Sequence, residues 1–224
     1  MLALATLFPN VDWEDMWEAT LETLYMTGIS VSATFLLGLI LGLLLFLTER
    51  GNLWQNKPIQ LIIAGFVNIF RSIPFIILII LLVPFTTLLV GTMLGANAAL
   101  PALIIGAAPF YARMVEIALR EIDKGVIEAA KSMGATDAQI IYKVLLPESL
   151  PALISGITVT AIALISYIAM AGVVGAGGLG TLAYLDGFQR NQNDVTFVAT
   201  VIILIIVFII QWIGDFFTQK TDKR

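Results

Sequence analysis

Residues 197–210 read FVATVIILIIVFII, and no charged side chain interrupts them. The runs IILIILLV at 76–83 and VTAIALI at 159–165 have the same character. A helix built from such a run has no polar stripe to turn toward water, so lipid is the solvent these segments require. The whole chain agrees: of 224 residues, 59% are apolar and 12% charged. The tails and loops fall short of the roughly 50 residues that a soluble domain needs. A single all-α polytopic membrane domain over 1–224 is therefore predicted, with no appended soluble domain and the lipid bilayer as its surroundings.

Hydropathy predicts five transmembrane helices. The first runs from about Leu21 to Leu47 and the second from Pro58 to about Val83, bent beside Pro74. An outer turn is expected at 84–96, followed by a third span at about 97–118. The fourth covers about Ser149 to Val174 and the fifth about Asp194 to Phe217. Lys and Arg set the orientation. With the N-terminus outside and the C-terminus inside, the inner segments carry Arg50, Lys57, Arg113, Arg120, Lys124, Lys131, Lys143, Lys220, Lys223 and Arg224, whereas the outer ones carry Arg190 alone. The first twenty residues hold Asp12, Glu14, Asp15 and Glu18 but no Lys or Arg, so they lack the basic start of a signal peptide. The first span is expected to serve as its own insertion signal.

The chain contains no Cys and no His. That removes disulfides, thiolate nucleophiles and the commonest general base and metal ligand. The spans offer no pair of carboxylates that helical spacing would bring face to face, so no catalytic residue and no metal site is assigned. No Gly-Lys-Ser or Gly-Lys-Thr triplet exists, and any ATP must be handled by another polypeptide. The stretch Gly175-Ala176-Gly177-Gly178-Leu179-Gly180 formally matches a dinucleotide fingerprint but lacks the flanking strand, and a polar turn is expected at 184–187. These glycines are read as permitting close helix approach or a break after the fourth span. Gly38 and Gly42 give the first span a small-residue face, read as packing within the subunit.

One polar segment of real size remains on the inner side, residues 119–148. Within it Ile122, Val126, Ala129 or Ala130, and Met133 recur at helical spacing, as do Ile140 or Ile141 and Val144 or Leu145. Two short amphipathic helices separated by Gly134-Ala135-Thr136 are predicted, the second capped by Thr136 or Asp137 and stopped by Pro147. The sequence Glu128-Ala129-Ala130, three residues, Gly134, nine residues, Val144, one residue, Leu146-Pro147 suits a part that delivers force. Small side chains let a helix enter a groove on a partner, and a glycine allows a sharp turn between two stiff pieces. Anchorage at the inner leaflet through Lys124, Lys131 and Lys143 is the plainer alternative.

Inside the second apolar region, Arg71 precedes Ser72-Ile73-Pro74. An intramembrane Arg costs about 2.5 kcal/mol or more unless it faces protein or water, so Arg71 is read as a structural residue beside the pathway or as one whose long side chain reaches a polar layer. Pro74 is read with it as structural. On the fourth span, Ser166, Tyr167 and Met170 stand among small residues, either lining a constriction or filling a gap.

The spacing over 128–147 resembles the signature loop of the membrane subunits of bacterial ATP-binding-cassette importers, with Val144 where isoleucine is usual. Arg71-Ser72-Ile73-Pro74-Phe75, Gly106-Ala107-Ala108-Pro109-Phe110 with Ala112-Arg113-Met114-Val115-Glu116, and Gly172 through Gly180 make the chain similar to the methionine importer permeases from about residue 12 to residue 217. This resemblance implies the type I importer permease fold in the bacterial inner membrane. It also implies a homodimer of permeases forming one pore, two cytoplasmic ATPase subunits holding ATP and magnesium, and an extracytoplasmic substrate-binding protein. No nucleic acid is implied, and this chain carries no cofactor. Glu128, Ala129, Ala130, Gly134, Val144, Leu146 and Pro147 would couple the chain to the ATPase, while Met170 and Tyr167 would lie at the pathway or gate. The same machine serving another small solute, and an ATP-independent channel or carrier, stand as alternatives.

Overall fold

The computed structural model describes residues 8–222. Lys223 and Arg224, two of the charges counted toward the inner side, lie outside the described residues. The described chain is helical almost throughout. Helix α1 spans Trp13–Thr48, α2 Lys57–Ser72, α3 Phe75–Leu81, α4 Val83–Val90, α5 Ala96–Arg120 and α6 Lys124–Ser132. Then α7 runs Asp137–Val173 as one long helix, α8 covers Gly178–Leu182 and passes into a π turn at Ala183–Gln189, and α9 spans Asn193–Thr221.

Four of these helices, α1, α5, α7 and α9, are long and apolar enough to cross a membrane. Helices α2 and α3 pass the same test together but bend by 107° at their junction, and counted as one broken span they make five. The second span is thus not the single helix read over 58–83. Pro74 lacks an N–H and disfavours the helical conformation at Ile73, so the ladder stops at Ser72 and restarts at Phe75. Nor is 84–96 all turn. Pro84 sits in the opening turn of α4, where its missing N–H is no loss, and the reversal is confined to 91–95 after Gly91 at φ +84°. Helix α5 continues through both Pro101 and Pro109.

Pro147, read as a stop, lies inside α7. The turn before it, Ile141–Leu145, is a π turn in which Leu146 N–H donates to the Ile141 carbonyl five residues back. That wider turn gives the proline ring the room that a regular turn denies it. The polar turn expected at 184–187 is likewise helical.

The chain packs into two compact units. One gathers residues up to Ser32 with Ile73–Gly106 and Ala161–Ile210. Its core sets Met16 and Ala19 of α1 against Ile165 of α7, Leu179 of α8, and Val195, Val198 and Ala199 of α9. Asn10 N–H donates to Asp194 Oδ2 at 2.9 Å, fixing the chain before α1 to the first turn of α9.

The other unit comprises Ala33–Ser72, Ala107–Thr160 and the chain from Gln211. Phe46 and Leu47 of α1, Tyr111, Val115 and Leu119 of α5, and Ile122, Ala130, Ile140, Leu145 and Leu153 form its core. The glycine face of α1 packs here: a Cβ on Gly42 would lie 2.5 Å from the Ala112 carbonyl oxygen, and one on Gly38 would lie 2.9 Å from that of Ala108. Gly42→Leu is accordingly expected to destabilise the folded chain by about 1–3 kcal/mol, since α1 and α5 must separate to admit it. The thermal unfolding midpoint of the detergent-solubilised chain reports this. Gly65→Ala, which would meet nothing within 4 Å, is expected to leave it unchanged or slightly raised.

Candidate functional site

Between α5 and α7 lies a compact elbow. Asp123 caps α6 by accepting the Gly125 N–H at 2.6 Å. The helix ends in a left-handed turn: Gly134, at φ +80°, donates to the Lys131 carbonyl, and Ala135 donates to that of Ala130. A side chain at this φ is strained, so glycine is what the closure needs. Thr136 then opens α7 with a capping box, Gln139 N–H donating to Thr136 Oγ1 at 3.3 Å and Thr136 N–H to Gln139 Oε1 at 2.9 Å. Two helical pieces are therefore present as the sequence predicts, separated by the four residues Met133 to Thr136, although the second continues into the long α7.

The amphipathic pattern is more specific than the sequence reading. Ile122, Ala130 and Ile140 are buried in the elbow's own core, and Ile127, Val144 and Leu146 pack partly against it. Val126 and Met133, read with them as one apolar face, point outward instead, Met133 at 82% exposure and Tyr142 beyond it at 74%. The two alanines of the signature have different surroundings: Ala130 packs inward, while Ala129 and Glu128 are exposed. The Glu128 carboxylate makes no ion pair or hydrogen bond among the described residues, so it is available to a partner. Pro147 is exposed two residues past the π turn. The elbow thus shows an apolar tip of Val126, Ala129, Met133 and Tyr142 on a stiff frame.

Two features of the elbow lay beyond sequence reasoning. Buried Glu116 on α5 holds Arg113 at 2.6 Å and Arg120 at 2.7 Å, and Arg120 also reaches Glu49, just beyond α1, at 2.8 Å. Trp54 Nε1 donates to Asp137 Oδ2 at 3.2 Å. The Glu116 to Arg120 spacing of four was visible in the sequence, but nothing there points to partners seventy or eighty residues away.

The residues read as pathway or gate lie in the first unit. Tyr167 stacks on Phe75, ring centroids 4.5 Å apart and planes 6° from parallel, so α7 grips the first residue of α3 immediately after the Pro74 break. Met170 and Ser166, one turn apart, are exposed on α7. Beyond Val173 the chain folds back, and Gly172 and Gly180 let α8 lie against α7 so closely that a Cβ on Gly172 would meet the Thr181 nitrogen at 2.5 Å. Glu22 of α1 accepts the Gly178 N–H at 2.7 Å and Thr23 accepts that of Leu179 at 2.9 Å. Glu22 is thus a long-range cap for α8. Arg71 sits exposed in the last turn of α2, a favourable place for a cation, with no side-chain partner among the described residues.

Four or five candidate spans carrying one polar elbow define an all-helical polytopic membrane protein. The chain belongs to the family of binding-protein-dependent transport system inner membrane components, which it matches over residues 34–223. It is 71% identical over 217 residues to the methionine import system permease protein MetP of Bacillus subtilis (strain 168), covering 97% of this chain and 98% of that one. To the probable D-methionine transport system permease protein MetI of Pasteurella multocida (strain Pm70) it is 50% identical over 212 residues, covering 95% and 98%. A chain of the MetNI methionine ABC transporter in an inward-facing conformation superposes with a TM-score of 0.92 at 45% identity, over 95% of this chain and all of that one. The resemblance read from the sequence, the all-α permease fold and the transport role in the inner membrane are borne out.

Thr136→Ala removes the cap of α7, expected to loosen the elbow by about 1 kcal/mol. Tryptic cleavage after exposed Lys131 in the solubilised chain should then accelerate roughly fivefold, whereas Thr136→Ser should leave the rate near that of the parent.

Proposed function

We propose that the chain is the pore-forming half of an ATP-driven importer of methionine, and that the elbow is where a cytoplasmic ATPase subunit docks. The observation that carries this reading is the apolar tip at Val126, Ala129, Met133 and Tyr142 on a frame fixed by two caps and a buried core. Membrane anchorage needs no such stiffness, whereas a part that passes on displacement does. The names of the MetP and MetI relatives and the match to a MetNI chain support methionine as the solute.

On this reading the N-terminus is outside and the elbow inside, in keeping with the distribution of Lys and Arg. Two copies of the chain form one pore, two ATPase subunits hold ATP and magnesium, and an extracytoplasmic binding protein delivers the solute. ATP binding draws the ATPase pair together and tips the permeases outward, and hydrolysis with product release returns them inward. Glu128, Ala129 and Gly134 face the partner, while Ala130, Val144, Leu146 and Pro147 hold the elbow's shape. Met170 and Ser166 border the solute's path, with Tyr167 tying that stretch of α7 to Phe75. Arg71 and Pro74 shape the break of the second span, the guanidinium facing a polar lumen because lipid would penalise it.

A tagged chain purified from its own host is expected to bring down an ATPase and a lipoprotein or soluble binding protein, and the reconstituted assembly to take up methionine only with ATP. Uptake by the purified chain alone would overturn the reading, as would a binding protein that holds an unrelated solute and not methionine. Gly134→Arg sets a large cation against the docking face and is expected to lower methionine uptake at least tenfold while insertion is retained. Gly134→Ala adds only the backbone strain of about 1 kcal/mol and should be much milder. Uptake and ATPase stimulation both unchanged in Gly134→Arg would remove the elbow's role.

A further inference from the structure

We propose that residues 49–56, between α1 and α2, form a brace that ties the end of α1 to both ends of the elbow, so that a displacement of the elbow is carried into α1. The inference rests on the reading of the elbow as the ATPase contact. It assigns positioning roles to Glu49, Trp54, Glu116 and Arg120.

The brace is itself fixed. Trp54 N–H donates to the Leu47 carbonyl and Asn56 N–H to that of Thr48, each at 2.9 Å, and Asn52 Nδ2 donates to the Phe46 carbonyl at 2.5 Å. These bonds satisfy the carbonyls that the end of a helix leaves open, and they bind the segment to α1 as a cap. Gly51, at φ +90°, makes the reversal, and its N–H is taken by Gln55 Oε1 at 3.0 Å. Leu53 packs against the core that holds Ala130, Ile140 and Leu145.

The brace grips the elbow at two places. At the near end, one atom, Arg120 Nη2, lies 2.8 Å from Glu49 and 2.7 Å from Glu116. Glu116 is 2% exposed, and without the two arginines its charge would be stranded. Arg120 lies three residues before the Asp123 cap of α6. At the far end, Trp54 donates to Asp137, the first residue of α7. One attachment would leave a hinge. Two attachments, on either side of α6 and Gly134, prevent the elbow from rotating independently of α1. An exposed ion pair alone contributes little and Arg120 is itself exposed, so the relevant property is its sharing between Glu49 and the buried Glu116, together with the second grip.

The parent sequence contains no cysteine, which permits a clean test in the assembled complex of permease, ATPase and binding protein in proteoliposomes. Radiolabelled methionine uptake and ATP hydrolysis are measured per assembled complex. The pair Glu49→Cys with Arg120→Cys opens the near grip, and uptake per ATP hydrolysed is expected to fall about threefold or more while hydrolysis persists. Joining the two thiols with a short bismaleimide is expected to restore the ratio to within about twofold of the parent, because the joined parts move together. Glu49→Gln, which keeps the side chain's size, should shift the ratio in the same direction as the unjoined pair. A merely structural contact would lower the yield of complex and leave the ratio alone.

The brace is overturned if cross-linking halts uptake while hydrolysis continues, or if both the cysteine pair and Glu49→Gln keep the parent's ratio. A parent complex that shows no ATP-driven methionine uptake would instead sink the importer reading on which the brace rests.

Discussion

On the proposed reading, the packing of Ala130, Ile140 and Leu145 against Phe46, Leu47 and Leu119 is the contact on which the rest of the structure depends. It fastens a polar elbow to the ends of two long apolar helices, and it does so with small and branched side chains that leave little freedom to rock. Close-packed interiors transmit displacement rather than absorbing it. Replace that core with a loop, and the apolar tip at Met133 and Tyr142 could still bind something, but nothing bound there would move a span. The two caps, at Asp123 and Thr136, and the left-handed turn at Gly134 complete the same design by leaving the elbow's backbone few alternatives.

Much of this was legible in the sequence, for reasons that differ from place to place. Lipid-facing helices announce themselves by composition, so α5 and α9 were found within a few residues of both ends, whereas α1 starts at Trp13 rather than near Leu21 and α7 at Asp137 rather than near Ser149 because their polar first turns carry no hydropathy signal. The elbow was legible because caps and glycine turns are local: Thr136, Gln139 and Gly134 act on neighbours three to five residues away. The helix ends between 58 and 96 were harder, because a proline marks either an interruption or a helix start. Pro74 breaks the second span, whereas Pro84 begins α4 and Pro147 is absorbed by a π turn. Choosing among these outcomes needs the surrounding packing, which no local pattern supplies.

Periodicity also left open which apolar residues of α6 the chain itself covers. Val126 and Met133 fit the apolar spacing as well as Ile122 does, yet both stay exposed, Met133 the more so. An apolar residue at helical spacing says that something will cover it, not whether the cover is the same chain. On the proposed reading the cover is the ATPase subunit. Long-range polar contacts were the least visible. Glu22 caps a helix that begins 156 residues later, and Glu49 meets Arg120 across 71.

The glycine-rich fold-back and the elbow illustrate two uses of the same residue. At Gly172 and Gly180 the missing side chain is what matters, because backbone passes within touching distance of backbone. At Gly134 there is open space for a side chain within the chain, and it is the φ angle that glycine serves. The space left open there lies beside the exposed tip, where a partner would need it.

Hydrogen–deuterium exchange over residues 122–146, compared between the free permease and the full transporter, tests the central claim most directly. A stiff elbow seated on another protein predicts slow exchange in α6 of the free chain and a further marked slowing from Val126 to Met133 on assembly. Fast exchange in both states, with no change when the partners are present, would contradict it.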